Sequence, residues 1–362
     1  MSSVAELCLS PNQGGLELYF AALIRRLSQR GDVKVHAIIA RDAFLTENVV
    51  HEALIIKRPN PLRLPGTAKA LAREIDALGV DVLHIHWGFD LPLAVLTKRA
   101  SKRPLKLIYS RHMHITRAKH DFYHRFLYRH VDLMLVTTKR MQYDAQGYLP
   151  LSHENIRLLH LGVTALSADQ VETRSALGLS DNVFTIGAFS RIEPGKGQHV
   201  LLEALRLLHH EGVRFEAAFI GHVMDRGYYE DLKTKTAESG LGDRIAFREF
   251  VPDPMRYMPC FDAVVLTTFG ETFGLVLVEA MTMGVAVVGT NAGGVPETIE
   301  HEHSGLLFEP GNSRALADAL ERLYEDMAFR NKLARQGQLR ARKKFSEERH
   351  YERLSSVLQD LS

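Results

Sequence analysis

The loop at residues 190–197 combines two cations with a tight turn. Arg191 and Lys196 flank Pro194-Gly195, and a helix is predicted to begin at Gln198. Two fixed cations beside a helix N-terminus can bind a diphosphate without a metal ion. A solvated basic turn is the alternative, but this loop follows a predicted strand, where α/β sheets bind their ligands.

A second loop, residues 269–280, carries two glutamates. Glu271 precedes a predicted apolar helix that begins near Gly274, and Glu279 lies inside that helix among Leu, Val, Ala and Met. A carboxylate in such surroundings needs a hydrogen-bonding partner, and the hydroxyl pair of a ribose is one candidate. An exposed acidic face is the alternative, which fits less well because few other polar residues lie along the helix.

A third loop, residues 12–17, contains adjacent glycines. Gly14 and Gly15 lie where a predicted strand passes into a helix, so a phosphate could approach the backbone N–H groups closely. A simple turn explains the pair equally well. The dinucleotide fingerprint G-x-G-x-x-G is absent, and Gly195-Lys196-Gly197 lacks the earlier glycine and the following Ser or Thr of a P-loop.

These loops interrupt an alternation of short apolar runs and amphipathic helices, which is typical of parallel strands buried on both faces. The alternation pauses at residues 149–174 and then restarts. The sequence therefore predicts an α/β protein of two Rossmann-like, doubly wound lobes, residues 1–165 and 166–344, with a last helix, 345–362, packing back on the first. The predicted strands are Val4–Leu9, Val33–Ala40, Asp81–Ile85, Leu105–Tyr109, Leu133–Thr137, Val183–Ala188, Ala217–Ile220, Ile245–Phe250, Ala263–Thr267 and Val285–Gly289.

Length and composition narrow the class of protein. A chain of 362 residues with 46% hydrophobic and 24% charged residues suits two globular domains and not a disordered protein. Cys8 and Cys260 cannot form a disulfide framework, which favours a reducing compartment. Because the first ten residues lack a signal-peptide pattern and no run of 18 apolar residues occurs, we expect a cytoplasmic protein without a transmembrane helix.

The two halves of the chain carry opposite net charge. Residues 1–165 hold 23 Lys and Arg against 14 Asp and Glu, whereas the remainder holds 22 against 29. The excess of positive charge in the first half indicates that this half faces an anionic surface or partner. The alternative is that the charged faces of both halves are simply exposed to water. The basic residues at 98–106 and the basic, aromatic segment at 117–130 predict peripheral contact with the inner membrane face, although those aromatics could equally be core residues. No nucleic-acid partner is expected, because the second half is acidic and contains no binding motif.

Two His-x-His pairs, His84-x-His86 and His112-x-His114, could bind zinc. Each pair falls at a predicted strand end, but no Cys or Glu-x-x-His pattern completes a site. We therefore expect no functional metal.

The motifs of the second half are similar to those of glycosyltransferase family 4, and the similarity extends more loosely over the first half. The resemblance implies a GT-B fold, in which two Rossmann-like lobes enclose the active site in a cleft. It also implies retaining transfer from a nucleotide-diphosphate sugar, UDP- or GDP-linked, with no metal and no other cofactor. The matching residues are Arg191, Lys196, Glu271, Glu279, Gly14-Gly15, Gly293–Glu297 and Gly305–Phe308.

The resemblance assigns roles in the second lobe. Arg191 and Lys196 would neutralise the donor diphosphate as the leaving group forms. Glu271 would hold hydroxyls of the transferred sugar, and Glu279 would hold those of the ribose. The other donor-binding positions implied are the backbone around Phe273, Gly274, Leu275 and Val276. The base would lie near Phe250–Val251, with Val251 among the donor-binding residues.

In the first lobe, the resemblance points to His112 as the histidine near the donor sugar, with His114 as the alternative. Gly14 and Gly15 would approach the phosphates or the acceptor. No protein nucleophile is expected beneath the anomeric carbon, so the departing phosphate itself would accept the proton of the acceptor.

Together these features predict a retaining hexosyl- or related transferase acting on a saccharide acceptor such as a lipid-linked glycan or lipopolysaccharide. A nucleotide-sugar epimerase of similar fold, which would convert the donor alone, remains an alternative. A catalytically silent glycan-binding or scaffold protein is another. The presence of the four charged residues Arg191, Lys196, Glu271 and Glu279 argues against a silent protein.

Overall fold

The computed structural model describes residues 1–12, 14–41, 44–49, 53–251 and 253–361. The chain divides into two compact units, Met1–His160 with Glu348–Ser362, and Leu161–Glu347. The second unit therefore begins five residues before, and ends three residues after, the lobe expected from the sequence. Each unit contains its own parallel sheet and its own hydrophobic core.

The strands of the first unit are β1 (Ser3–Cys8), β2 (Lys34–Ala40), β3 (Ala53–Ile56), β4 (Val82–Ile85), β5 (Lys106–Arg111), β6 (Leu133–Val136) and β7 (Ile156–Leu158). They form one sheet in the order β3-β2-β1-β4-β5-β6-β7, and every pairing is parallel. The direction of winding reverses between β1 and β4, which is the place where doubly wound sheets bind ligands.

The helices that connect these strands are α1 (Gly15–Arg30), α2 (Phe44–Asn48), α3 (Leu64–Ala77), α4 (Leu91–Ala100), α5 (Phe122–Tyr128) and α6 (Lys139–Tyr148). In α1 the buried residues Phe20, Leu23 and Leu27 recur at helical spacing and pack into the core of the unit. The helix ends at Gly31, whose φ of 66° is a left-handed conformation that favours glycine.

The strands of the second unit are β8 (Phe184–Phe189), β9 (Phe215–Ile220), β10 (Ile245–Arg248), β11 (Ala263–Leu266), β12 (Ala286–Thr290) and β13 (Leu306–Phe308). Their order is β10-β9-β8-β11-β12-β13, again with parallel pairing throughout. Here the winding reverses between β8 and β11. The helices of the unit are α7 (Gln198–His210), α8 (Arg226–Glu238), α9 (Leu275–Thr282), α10 (Val295–Thr298), α11 (Ser313–Glu325) and α12 (Met327–Lys344).

The last helix, α13 (Glu347–Leu361), packs on the first unit. Its buried residues Tyr351, Leu354 and Leu358 share a hydrophobic cluster with Val4 and Leu23. The chain thus returns to the unit in which it begins.

The predicted α/β class, with two doubly wound parallel sheets, is confirmed. The short strands β3, β7 and β13 were not predicted. Each has three or four residues and lies at the edge of its sheet, so each is too short to give a clear sequence pattern. Among the described residues, no helix is long and apolar enough to cross a membrane.

Candidate active site

Lys196 and Glu271 form an ion pair in the second unit. Lys196 Nζ lies 3.1 Å from Glu271 Oε2, and the two side chains are only 20% and 21% exposed. Lys196 follows β8 and Glu271 follows β11, and these strands are neighbours in the sheet. The pair therefore lies at the carboxyl edge of the sheet, where the winding reverses and where an anionic ligand could take the ammonium group as its partner.

The backbone around Lys196 is fixed against the loop that follows β11. Gly197 has a φ of 70°, and a Cβ there would lie 2.3 Å from the carbonyl oxygen of Thr267. The Thr267 hydroxyl donates to the Lys196 carbonyl at 2.8 Å. Gln198 Nε2 donates to the Arg191 carbonyl at 2.7 Å, at the other end of the loop. Both predicted cations therefore belong to a loop whose path is determined by contacts.

Arg191 is placed differently from Lys196. Its side chain is 57% exposed, and its Nη2 lies 2.9 Å from Oε1 of Glu193 in the same loop. The partner of Arg191 is thus a neighbour in sequence, whereas the partner of Lys196 comes from another loop. A diphosphate that contacts Arg191 would compete with the carboxylate of Glu193.

The loop that carries Glu271 is held by the Gly-Gly segment that follows β12. Gly294 N–H donates to the Glu271 carbonyl at 2.8 Å. Gly293 has a φ of 59°, and a Cβ there would lie 2.2 Å from the same carbonyl oxygen. The Glu271 carboxylate also accepts the N–H of Thr272 at 3.1 Å. Close backbone approach therefore explains the glycine at position 293.

Helix α9 presents its N-terminus immediately after this loop. Gly274 precedes the first turn with φ 78° and ψ 46°, and Leu275 and Val276 are the first two helical residues. The N–H groups of a first helical turn have no acceptor within the helix, so they are available to an anion. Phe273 is buried, and its carbonyl accepts the hydroxyl of Thr298 at 2.8 Å. Phe273 therefore anchors the start of the helix.

Glu279 lies in the second turn of α9 and is partly buried. No other described residue donates a hydrogen bond to its carboxyl group or forms an ion pair with it. Burial, and then the nearby carboxylate of Asp253, raise the pKa of Glu279 to about 7. Such an isolated carboxyl group can accept the hydroxyl hydrogens of a ligand when it is ionised.

Val251, the residue predicted near the base, is partly buried against the core of the second unit. Its neighbour Phe250, also predicted to lie near the base, has a ring that stacks on His222 with centroids 4.3 Å apart and planes 11° apart. Phe250 is exposed, so this stacked pair presents an aromatic surface beside Val251.

Gly14 and Gly15 begin helix α1 in the first unit. A Cβ at Gly15 would meet no described atom within 4 Å, and one at Gly14 would meet only Glu17 Oε2, at 3.4 Å. Glu17 is buried and accepts the hydroxyl of Ser10. Among the described residues, none therefore requires a glycine at either position for steric reasons, and the space beside this backbone is open.

His112 lies beyond β5 in the first unit, with its ring centroid 4.8 Å from that of Tyr19. Burial, and then the neighbouring histidines, hold the pKa of His112 well below its ordinary value, so the imidazole is neutral. Its Nε2 is buried without a hydrogen-bond partner among the described residues, and the same holds for Nε2 of His114. A neutral imidazole with an unpaired nitrogen can bond a sugar hydroxyl.

A buried network supports this histidine and was not anticipated from the sequence. The carboxylate of Glu6 in β1 lies 2.9 Å from His84 Nδ1 and 2.7 Å from His86 Nε2, and His84 Nε2 lies 2.8 Å from Ser110 Oγ. The His86 ring is stacked 5.8 Å from that of His112. Burial alone would raise the pKa of Glu6, but the contacts with His84 and His86 outweigh it and lower the pKa to about 2.

Glu6, His84 and His86 together have the donor set of a metal centre, with ligand atoms within 4.8 Å of one another. Those atoms are hydrogen-bonded to each other, and the second nitrogen of His84 bonds Ser110. The group is therefore a hydrogen-bonded network that joins the neighbouring central strands β1 and β4 of the first sheet.

The basic and aromatic segment at residues 117–130 contains both buried and exposed aromatic side chains. Tyr128 is buried in the core of the first unit and Phe126 packs against that core, whereas Phe122 and Tyr123 are 87% and 54% exposed. In the neighbouring basic stretch, Lys98 bonds Asp132 and the carbonyl of His130. Only part of the predicted membrane face is therefore available at the surface.

Comparison with known protein families agrees with this architecture. Residues 13–165 match the family described as Glycosyltransferase Family 4, and residues 169–340 match Glycosyl transferases group 1. The chain belongs to the family 4 glycosyltransferases, of the GT-B type. The predicted family and fold are thus confirmed.

Individual relatives are also named as glycosyltransferases, and a solved structure has the same fold. The chain is 27% identical over 192 residues to the capsular polysaccharide biosynthesis glycosyltransferase CapM of Staphylococcus aureus, which covers 53% of this chain and 50% of that protein. The chain thus spans about half the length of this relative. It is 25% identical over 291 residues to the lipopolysaccharide core biosynthesis mannosyltransferase LpsB of Rhizobium meliloti, covering 77% and 79%. The Anabaena protein HepE, solved in complex with UDP, superposes with a TM-score of 0.85 at 23% identity over 99% of this chain and 100% of that one.

Proposed function

We propose that this protein is a retaining, metal-independent hexosyl- or related transferase that moves a sugar from a UDP- or GDP-sugar to a saccharide acceptor. The ion pair between Lys196 and Glu271 is the observation that supports this most. It places a cation suited to a diphosphate beside a carboxylate suited to sugar hydroxyls, at the carboxyl edge of a doubly wound sheet.

The second unit would hold the donor. Lys196 and Arg191 would take up the negative charge that develops on the diphosphate, and the N–H groups of Leu275 and Val276 would add the helix N-terminus. Glu279 would accept the two ribose hydroxyls. The base would lie near Val251, and no further cofactor is required.

In the transfer step, the bond between the anomeric carbon and the diphosphate oxygen breaks. The acceptor hydroxyl oxygen bonds to the same face of the anomeric carbon, and its proton passes to the departing diphosphate oxygen. Glu271 would hold hydroxyls of the moving sugar in the second unit. His112, which is neutral and belongs to the first unit, would bond a sugar hydroxyl through its unpaired nitrogen.

The acceptor would be a lipid-linked glycan or lipopolysaccharide. Relatives named for capsular polysaccharide and lipopolysaccharide core biosynthesis support this choice. The basic first unit would contact the inner membrane face peripherally, through exposed Lys102 and Lys106 and the exposed aromatics Phe122 and Tyr123. The protein would then act in the cytoplasm.

Slow hydrolysis of the donor tests the reaction without knowledge of the acceptor. Purified protein is incubated with UDP-glucose or GDP-mannose in the presence of EDTA, and proton NMR follows the anomeric signals. We expect nucleotide release and, before mutarotation, a free sugar with the α configuration of the donor. Release of the β anomer would contradict retention. Conversion of the donor into an intact epimer would support an epimerase instead, and no consumption of any donor would support a silent protein.

A further inference from the structure

A cavity of about 370 Å³ lies in the first unit, and none of the residues discussed above lines it. Its walls come from the carboxyl ends of β1, β3 and β4, which are close together in the sheet, and from the first turns of α3 and α4. Its size falls in the range of small-molecule binding sites. The residues that line it include Leu9, Arg58, Leu64, Trp87, Phe89 and Asp90.

Asp90 is the buried polar group of this cavity. It is 2% exposed, and one of its oxygens accepts the N–H of Leu9 at 2.9 Å. The other oxygen has no hydrogen-bond partner among the described residues. Burial raises the pKa of Asp90 to about 8, so near neutral pH the group is a carboxylic acid that can both donate and accept a hydrogen bond.

Two aromatic side chains and one cation form the outer part of the cavity. Phe89 is 79% exposed, and its ring centroid lies 4.8 Å from that of Trp87. The Arg58 guanidinium lies 5.7 Å from the centre of the Trp87 ring, and no carboxylate of the described residues pairs with it. The planes of the two rings are tilted by 45° to each other, and aromatic rings arranged in this way beside a few polar groups fit a ligand with apolar C–H faces and hydrogen-bonding edges.

We propose that this cavity binds a pyranose ring of the saccharide acceptor, with Trp87 and Phe89 against its C–H face and Asp90 and Arg58 bonding its hydroxyls. The inference rests on the proposed function, which requires an acceptor, but it involves none of the donor residues. The donor residues Lys196, Glu271 and Glu279 belong to the second unit. A nucleotide base or a free phosphate in this cavity is the competing occupant.

Trp87 is the only tryptophan of the chain, so its fluorescence reports on this cavity directly. The full-length protein is titrated with methyl glucoside, methyl mannoside and methyl galactoside, and separately with UDP, GDP, inorganic phosphate and glycerol. We expect a saturable change in Trp87 emission with at least one methyl pyranoside. UDP, GDP, phosphate and glycerol should leave the emission unchanged.

Two exposed phenylalanines of the same unit provide matched variants. Phe89→Ala should weaken pyranoside binding by about threefold to tenfold, the effect expected for loss of one aromatic contact. Phe122→Ala removes an equally exposed ring outside the cavity and should leave the affinity as in the wild type. Neither ring is part of the core, so both variants should fold, which circular dichroism checks.

The proposal is overturned if no pyranoside changes the emission, if UDP, GDP or phosphate alone changes it, or if Phe89→Ala binds as tightly as Phe122→Ala. Calorimetry with UDP and GDP on the same samples separates this failure from failure of the proposed function. Nucleotide binding together with silent Trp87 emission would reject only the acceptor cavity. Loss of both signals would reject the proposed function as well.

Discussion

The ammonium group of Lys196 and the carboxylate of Glu271 neutralise each other across 3.1 Å, although they are 75 residues apart in the chain. In our interpretation, a bound diphosphate takes over the ammonium group and leaves Glu271 able to accept hydroxyl hydrogens of the transferred sugar. The pair would thus connect diphosphate binding with sugar positioning.

Glu271→Ala should lower turnover far more than donor affinity. If the contact between Glu271 and the sugar strengthens in the transition state, we expect a fall in kcat of about 100-fold or more with a change in donor Kd below about threefold. Steady-state kinetics and calorimetry measure the two quantities. Lys196→Ala is the comparison, because it should weaken donor binding itself. Equal losses of kcat and affinity in Glu271→Ala would contradict the assigned role.

Donor affinity should increase with pH around neutrality. With a Glu279 pKa of about 7, only the ionised carboxylate can accept both ribose hydroxyls, so binding of a nucleotide sugar should tighten by about tenfold from pH 6 to pH 8. Glu279→Gln should remove this dependence. Because the pKa of Glu279 is raised in the folded protein, the free energy of unfolding of the wild type should fall relative to that of Glu279→Gln as pH rises from about 4.5 through 7. A pH-independent Kd in the wild type would be evidence against the ribose contact.

Two glycines near Glu271 provide a steric test of its loop. Gly293→Ala places a Cβ about 2.2 Å from the Glu271 carbonyl oxygen at a φ of 59°, so we expect a loss of roughly 1–3 kcal/mol in stability and much lower transfer activity. Gly270→Ala, on the other side of Glu271, meets no described atom within 4 Å and should behave as the wild type. Similar activity in both variants would show that the position of this loop is unimportant.

The buried network around Glu6 should make the first unit sensitive to acid. The pKa of Glu6 is lowered to about 2, so its contribution to stability is present above about pH 4.5 and is lost as pH falls towards 2. The pKa of His86 is lowered to about 4 by burial and by His84, so stability also falls from about pH 6.5 towards 4. Glu6→Gln should cost about 1–3 kcal/mol at pH 7.

Urea denaturation followed by Trp87 fluorescence measures the stability of the first unit, which contains the only tryptophan. Glu47→Gln, an exposed position in α2, is the control and should leave the midpoint unchanged. If Glu6→Gln were as stable as this control at pH 7, the network would have no structural role.

The sequence predicted candidate site residues most readily where they lie in loops that follow clear strands. Arg191, Lys196 and Glu271 were predicted as site residues because each follows a recognisable strand, and loops at that edge are where such sheets bind ligands. The pairing of Lys196 with Glu271, and of Arg191 with its neighbour Glu193, could not be predicted, because it depends on how two loops approach each other.

Buried polar groups were the main residues that sequence reasoning missed. Glu6 lies within an apolar strand and Asp90 at the start of a helix, and both are charged residue types in positions that become buried. An acidic residue inside an apolar run was the available signal for Glu6. The partners of Glu6, His84 and His86, lie in or directly after β4. The N–H group that bonds Asp90 belongs to Leu9, directly after β1. Because these partners are distant in the sequence, only the folded structure reveals them.

Membrane contact should depend on the lysines that remain unpaired. The ammonium groups of Lys102 and Lys106 form no ion pair with described residues, whereas Lys98 bonds Asp132. Replacing Lys102 and Lys106 by Ser should weaken binding to anionic vesicles, and added salt should weaken binding of the wild type. Lys233→Ser with Lys235→Ser changes the net charge equally in the second unit and is the control. Unchanged vesicle binding in the first pair would leave the membrane proposal without support.

Calorimetry with nucleoside diphosphates tests the central claim most directly. The wild type and Lys196→Ala are titrated with UDP, GDP and ADP in the presence of EDTA. We expect the wild type to bind UDP or GDP without a metal ion and Lys196→Ala to bind at least about tenfold more weakly, because one charge-assisted contact is lost. Binding only after Mg²⁺ is added, equal affinity in the variant, or no binding of any nucleotide would contradict the central claim.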